Sequence, residues 1–216
     1  MYKEGKSMDL SRVKELIGNP KFILDVGAHT GQFYSWTKSV WPESIVWMIE
    51  ANDCHESALQ RLTENTKDKY TIATMGDSKR DVNFYTRSDK PHTEGASYYK
   101  EANYWDIPHL VQEIPKTLET LDDFFIEAGE FQLVKLDTQG SELDILRGGQ
   151  DMCKKAQAII LEVSYVEYNE GAPLAEEVIS FMEDYGFNKH FEIGDHYSNE
   201  PQWKDMVVQK DLCFYK

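Results

Sequence analysis

The chain has 216 residues, 41% of them hydrophobic and 12% aromatic, which is enough apolar surface for one substantial core and too much for a disordered chain. Its 23 Lys and Arg against 38 Asp and Glu give a formal net charge of −15; that field repels polyanions and anionic membranes, so neither nucleic acid nor a membrane is expected as a partner. Cys54, Cys153 and Cys213 are odd in number, far apart and without CxxC spacing, which argues against a disulfide framework and a zinc site and fits a reducing cytoplasm.

The opening segment "MYKEGKSMDLSRVKELIG" is charged throughout and has no apolar h-region, so a soluble, unexported protein is expected. Its periodicity predicts a first amphipathic helix over about 8–18, with Leu10, Val13, Leu16 and Ile17 on one side. Apolar runs then alternate with segments of helical period: "KFILDVG", "SIVWMIE", "YTIATMG", "FQLVKLD" and "AQAIILEV" as strands, and roughly 31–40, 53–65, 119–128, 141–148 and 172–185 as helices. Continuous apolar runs predict strands buried on both faces, and the repeated βαβ order predicts a doubly wound α/β fold with a mostly parallel sheet. Two last runs, "GFNKHFEIG" and "MVVQKDLCFYK", have no helix between them and read as an antiparallel pair at the sheet's edge. Nothing divides the chain, so residues 1–216 read as a single domain. The region from about 81 to 118 breaks the alternation, with a hairpin strand "DVNFYT" and then the aromatic, polar "HTEGASYYKEANYWDIPHL".

In an open α/β sheet, ligands bind beyond the carboxyl ends of the strands. The first run closes with Asp25, followed by Gly27 and Gly31 around a turn into a helix, where glycines let backbone approach a ligand. A dinucleotide fingerprint needs G-x-G-x-x-G, but this turn reads G-A-H-T-G with His29 at the second glycine position, which weakens a nicotinamide oxidoreductase reading. Glu50 ends the second run nineteen positions after Gly31, where a carboxylate accepts hydrogen bonds from ribose hydroxyls. The third run ends "ATMGDS", so Asp77 or a neighbouring backbone group is placed to meet an adenine amino group. Asp137 closes the fourth run beside the first strand, Gly140 permits a tight turn, and Ser141 reads as a helix cap. Glu142 and Asp144 suit that helix's dipole. Glu162 closes the fifth run. Asp137, Glu142 and Glu162 read as an acid cluster in preference to a metal site, so no metal ligand is assigned, and whether a divalent metal assists is left open.

These segments resemble the FkbM-type methyltransferases. The likeness rests on "LDVGAHTGQF", "MIEAND", "ETLDDFF", "VKLDTQGSELDILRGG" followed by "IILEVS", and the ending "QKDLCFYK", and so spans about residues 20–216. Family members read D-V-G-A-N-x-G at the first turn, E-P after the second strand and D-x-E-G-x-E near the fourth; here His29 replaces the Asn, Ala51 the Pro and Gln139 the first Glu. The resemblance implies a Rossmann-like class I fold with a seven-stranded sheet, S-adenosylmethionine as methyl donor, and O-methylation of a hydroxyl on a saccharide or secondary metabolite. By the same resemblance Asp25, Gly27 and Gly31, with Ala28 and His29 in the same turn, cradle the methionine part, Glu50 holds the ribose and Asp77 the adenine end, while the motif around Asp137 borders the transferred methyl.

Methyl transfer from a sulfonium is an in-line displacement that needs alignment, exclusion of water and removal of the acceptor's proton. Asp137 is the first candidate for that base and His29 the second. An insertion over about 85–115 is the candidate acceptor pocket or lid, with Tyr98, Tyr99, Tyr104 and Trp105 as stacking surfaces and Glu142 and Glu162 as further acceptor contacts. A non-catalytic S-adenosylmethionine-binding regulatory or interaction module is the alternative, because fold alone does not establish turnover. The oligomeric state is left open.

Overall fold

The computed structural model describes residues 8–102, 107–126, 129–197, 203 and 206–216. In chain order they form α1 (Ser11–Ile17), β1 (Phe22–Val26), α2 (Gln32–Val40), β2 (Ile45–Glu50), α3 (Glu56–Thr63), β3 (Lys69–Ile72), β4 (Thr74–Met75), β5 (Asp81–Arg87) and β6 (Val111–Glu119). There follow α4 (Leu121–Phe124), β7 (Leu133–Leu136), α5 (Glu142–Arg147), α6 (Gln150–Cys153), β8 (Ala158–Ser164), α7 (Ala175–Tyr185), β9 (Lys189–Tyr197) and β10 (Val207–Tyr215).

Seven strands make one sheet in the order β3-β2-β1-β7-β8-β10-β9. The five on the β3 side pair in parallel, and β10 and β9 run antiparallel at the edge. β8 is buried at every position, as a parallel strand covered on both faces must be. Alternate residues feed two cores: Leu24 and Val26 join Leu136 and Met182 on one face, and Ile23 joins Phe33, Val46 and Leu133 on the other. The expected fold, a mostly parallel seven-stranded sheet with an antiparallel edge pair, is therefore the one observed. β1 is the switch point, since the chain winds from it towards β2 on one side and β7 on the other, and ligands bind outside such a point.

The remaining strands correct the sequence reading. The run "YTIATMG" is not one strand: β3 stays in the large sheet, while β4 leaves it to pair with Leu118 and Glu119 of β6. β6, read as irregular, also pairs antiparallel with β5 from Asp81↔Thr117 to Arg87↔Val111, making a second sheet in the order β4-β6-β5. Charged residues and Pro115 disguise β6, and the proline is tolerated because β4 reaches only the last two residues of the strand. The two ends of the 85–115 insertion thus belong to the β5–β6 ribbon. The helix read over 119–128 is a single turn, Leu121–Phe124, whose N-cap Thr120 accepts from the Asp123 N–H at 3.2 Å. Among the described residues no helix is long and apolar enough to cross a membrane.

Candidate active site

The turn after β1 carries positive φ at Gly27 (82°), His29 (51°) and Gly31 (87°). It is fastened to the end of β2. The N–H groups of Gly27 and Ala28 donate to the Ile49 carbonyl at 2.9 and 3.1 Å, and Glu50 accepts from the His29 N–H and the Asn52 N–H, each at 2.7 Å. Glu50 thus ties the two turns together while its carboxylate borders the cleft. Gly31 does not line that cleft: a Cβ there would meet Leu62 Cδ1 at 2.1 Å, so its small size serves the packing of α2 on α3.

The cleft beyond the carboxyl ends of β1 and β7 has a volume of about 1320 Å3, larger than the roughly 300–1,000 Å3 of a common small-molecule pocket and roomy enough for two reactants. Gly27, Ala28, His29 and Glu50 form one part of its wall; Asp137, Glu162 and His196 form another.

Beneath the cleft lies Lys135, an ammonium almost wholly buried inside β7. Sheet register sets it beside Asp25. Its Nζ is 2.9 Å from Asp137 Oδ2 and 3.9 Å from Asp25 Oδ1. Burial alone would discharge this lysine, but Asp137 and Asp25 outweigh it and hold its pKa above the ordinary range. Asp137 answers in kind: burial would raise its carboxyl, yet Lys135, assisted by His196 and Gln139, keeps it below the usual carboxylate range. Asp25 has the opposite fate. It is fully buried, neither carboxyl oxygen has a hydrogen-bond partner among the described residues, and burial pushes its pKa up to about 6 against the pull of Lys135.

Across the cleft His196, from β9, sits 2.9 Å from Asp211 of β10 and 3.7 Å from Glu162 at the end of β8. Burial disfavours its charged form, but the Asp211 hydrogen bond and the neighbouring charges raise its pKa. Glu162, buried among Asp137, Asp211 and Glu142, is raised well above the ordinary carboxylate value, and the side-chain amides of Gln139 and Gln209 donate to its Oε2.

The other residues singled out by sequence divide. Tyr98 lines the cleft, whereas Tyr99 does not; both hydroxyls donate to Asp144 Oδ2, at 3.2 and 2.9 Å. Glu142 also lies off the wall. Its carboxylate accepts from the N–H groups of Thr138 and Gly140 at 2.7 and 3.0 Å and so braces the turn before α5; Ser141 stands at the N-cap as expected but makes no side-chain cap, its hydroxyl donating instead to the Thr138 carbonyl. Burial raises Glu142 to about 7. Asp77 stands outside the wall, bonded to Ser78 and Arg80, while Ala73, Thr74 and Met75 of the same run line it. Trp105 and Tyr104 lie outside the described residues.

Three features escaped the sequence reading: Lys135, the pair His196 and Asp211, and a group of imidazoles in which the rings of His29 and His55 are 4.1 Å apart and those of His55 and His92 5.4 Å. A lysine inside an otherwise apolar, buried run was the one available signal, since an isolated buried Lys is rare unless paired.

The family model described as "Methyltransferase FkbM domain" matches residues 25–189. No curated protein matches the chain. Among solved structures, the chain is similar to a precorrin-6y C5,15-methyltransferase from Geobacter metallireducens GS-15, with TM-score 0.50 and 9% identity over 94% of this chain and 85% of that one. It is likewise similar to an O-methyltransferase family protein from Burkholderia thailandensis, with TM-score 0.51 and 8% identity over 96% of this chain and 57% of that one. At such identities the likeness is one of fold, the Rossmann-like class I methyltransferase fold.

Proposed function

The chain belongs to the FkbM methyltransferase family, and on that premise we propose that it uses S-adenosylmethionine to methylate a hydroxyl of a saccharide or secondary metabolite. One observation carries the reading: the turn held by Glu50, the ion pair of Lys135 with Asp137, and His196 all border one cleft at the switch point of the sheet. The donor's chemistry fits these residues. Its ammonium and sulfonium are cationic, and the wall offers ionised Asp137; Asp25, wholly buried and without a hydrogen-bond partner among the described residues, does not line the cleft and lies beneath it beside Lys135. Glu50, beside the turn, suits the ribose hydroxyls, and Gly27, Ala28 and His29 the methionine part. Ala73 to Met75, which line the cleft where Asp77 does not, suit the adenine end better than Asp77.

When bound, S-adenosylmethionine would supply an electrophilic methyl for in-line attack by the acceptor oxygen, with the thioether of the demethylated product as the leaving group. Asp137, kept ionised by Lys135, is a poor base; its charge favours the donor's sulfonium and the imidazolium formed at His196, while the acceptor hydroxyl donates its hydrogen bond to His196. His29, drawn towards Glu50 and the other imidazoles, belongs to the donor side. The proton passes to His196: with its Nε2–H given to Asp211, the other ring nitrogen is basic, and the carboxylate stabilises the imidazolium that forms. Tyr98 offers a ring to the acceptor from the same wall.

Titration calorimetry with S-adenosylmethionine and its demethylated product, with NADH as control, tests the donor. Micromolar binding of the first two and none of NADH supports the reading; absence of donor binding would refute it. Donor binding without methyl transfer to any of a panel of sugars and hydroxylated metabolites would favour the non-catalytic module.

A further inference from the structure

Cys54, His55 and His92 are not used by the proposed transfer, and they come from two separate parts of the chain. Cys54 and His55 sit on the turn that follows β2, where Asn52 accepts from the Cys54 N–H at 3.3 Å. His92 lies on the segment after β5. One sulfur and one imidazole nitrogen from each histidine lie within 4.8 Å of one another, and Cys54 Sγ is 3.6 Å from His92 Nδ1. Tetrahedral zinc bound at about 2.0–2.3 Å spaces its ligand atoms about 3.5 Å apart, so small side-chain rotations suffice to close the set.

A second observation points to a ligand. His55 is only 1% exposed, yet neither of its ring nitrogens has a hydrogen-bond partner among the described residues, a costly state for a buried polar group. His55 and His92 both face the cleft. A metal ion at this spot would satisfy one His55 nitrogen and displace the thiol proton of Cys54.

We propose that Cys54, His55 and His92 bind a divalent transition-metal ion of the zinc class, with the fourth position open to the cleft. The donor set decides the class, because a thiolate with two imidazoles suits zinc and not the hard cations magnesium or calcium. The site has a structural consequence. Besides the Cys54–His92 contact, three polar contacts join the turns after β1 and β2 to residues 91 and 92: Asn52 Nδ2 and Cys54 Sγ to the Pro91 carbonyl at 3.0 and 3.1 Å, and His29 Nε2 to the His92 carbonyl at 3.3 Å. The ion converts these weak contacts into a clamp that holds the segment after β5 against the turns beside Glu50. The family match does not enter this argument, and metal binding is measurable without methyl transfer.

The experiment uses the whole chain, stripped with a chelator and titrated with cobalt(II), and separately the zinc content of the chain as purified. Expected are one zinc per chain, tetrahedral d–d absorption, and a thiolate-to-cobalt charge-transfer band. Cys54→Ser removes the charge-transfer band, and His92→Ala, at an exposed position, weakens binding by more than about tenfold; circular dichroism checks that each variant is folded. His196→Gln, at the Glu162 and Asp211 group, leaves the cobalt spectrum unchanged. No retained zinc together with a cobalt spectrum identical to that of the free ion would overturn the proposal. So would a spectrum that survives Cys54→Ser but is lost in His196→Gln, since the metal would then sit across the cleft.

Discussion

A Cβ built on Gly27 would lie 1.7 Å from the backbone carbonyl oxygen of Asp137. The turn after β1 therefore touches the end of β7 directly, and the contact closes the floor of the cleft. Gly27 also has φ of 82°, so an alanine there is strained whatever the space. Gly27→Ala is expected to cost about 3 kcal/mol or more in stability and to abolish donor binding. Urea denaturation and calorimetry check both, and a folded variant with wild-type affinity would remove the turn from the donor site.

Glu50 has a structural role besides its expected ribose contact. Both of its oxygens accept backbone N–H groups, one from each turn. Glu50→Gln keeps the shape but can satisfy only one of them, so it should destabilise by about 1–3 kcal/mol. Loss of a charge-assisted bond to ribose should weaken donor binding about 10- to 100-fold. Equal loss of stability with unchanged donor affinity would leave Glu50 as a staple alone.

Lys135→Met leaves the fully buried Asp25 and the partly exposed Asp137 without their shared cation. Breaking a buried pair on one side costs about 3–5 kcal/mol. Adding Asp25→Asn removes one of the stranded charges, so the double variant should be more stable than Lys135→Met alone. A double-mutant cycle by chemical denaturation measures the coupling, and strict additivity would mean that the 3.9 Å separation of Lys135 and Asp25 carries no interaction.

Much of this was legible in the sequence, for a physical reason. Strands buried on both faces write continuous apolar runs, so β1, β2, β7 and β8 stood out; of their closing acids Glu50, Asp137 and Glu162 line the cleft, whereas Asp25 is buried beneath it. β6 was illegible because its exposed charges and Pro115 give no β period. Lys135 was hidden inside a run that identified the strand it sits on. His196 and Asp211 meet across an antiparallel pair whose register shifts between Asp211 and Leu212, and no spacing along the chain encodes that meeting. The group of Cys54, His55 and His92 is of the same kind, assembled by a segment that the second sheet positions.

Asp25 carries a pH signature. Folded Asp25 titrates at about 6 against 3.8 for the free side chain, so the folded state holds its proton more tightly. The unfolded chain releases that proton first as pH rises, and wild-type stability falls between about pH 4 and 6 on account of this group and no further above it. An asparagine in its place cannot ionise. The advantage of Asp25→Asn over wild type is therefore expected to grow across that window to about 2–3 kcal/mol at neutral pH and to vanish below it. Denaturation midpoints of both proteins at matched pH values decide, and a difference independent of pH would show that Asp25 is ionised throughout.

His196 sets the pH dependence of turnover if it takes the acceptor's proton. The groups that face it are Asp211 on β10, Glu162 on β8, and Asp137 and Lys135 at the end of β7. The acids prevail, and its pKa lies above the ordinary histidine value of 6.5. A base works only when unprotonated, so kcat is expected to fall as pH drops through that raised value. His196→Gln should lower kcat by about 100- to 10,000-fold, leave donor affinity near wild type, and lose the acid limb attributable to this group. Asp211→Asn should move the limb to lower pH, because it removes the charge that stabilises the imidazolium. A merely structural role for the pair would lower kcat equally at every pH and leave the limb where it was.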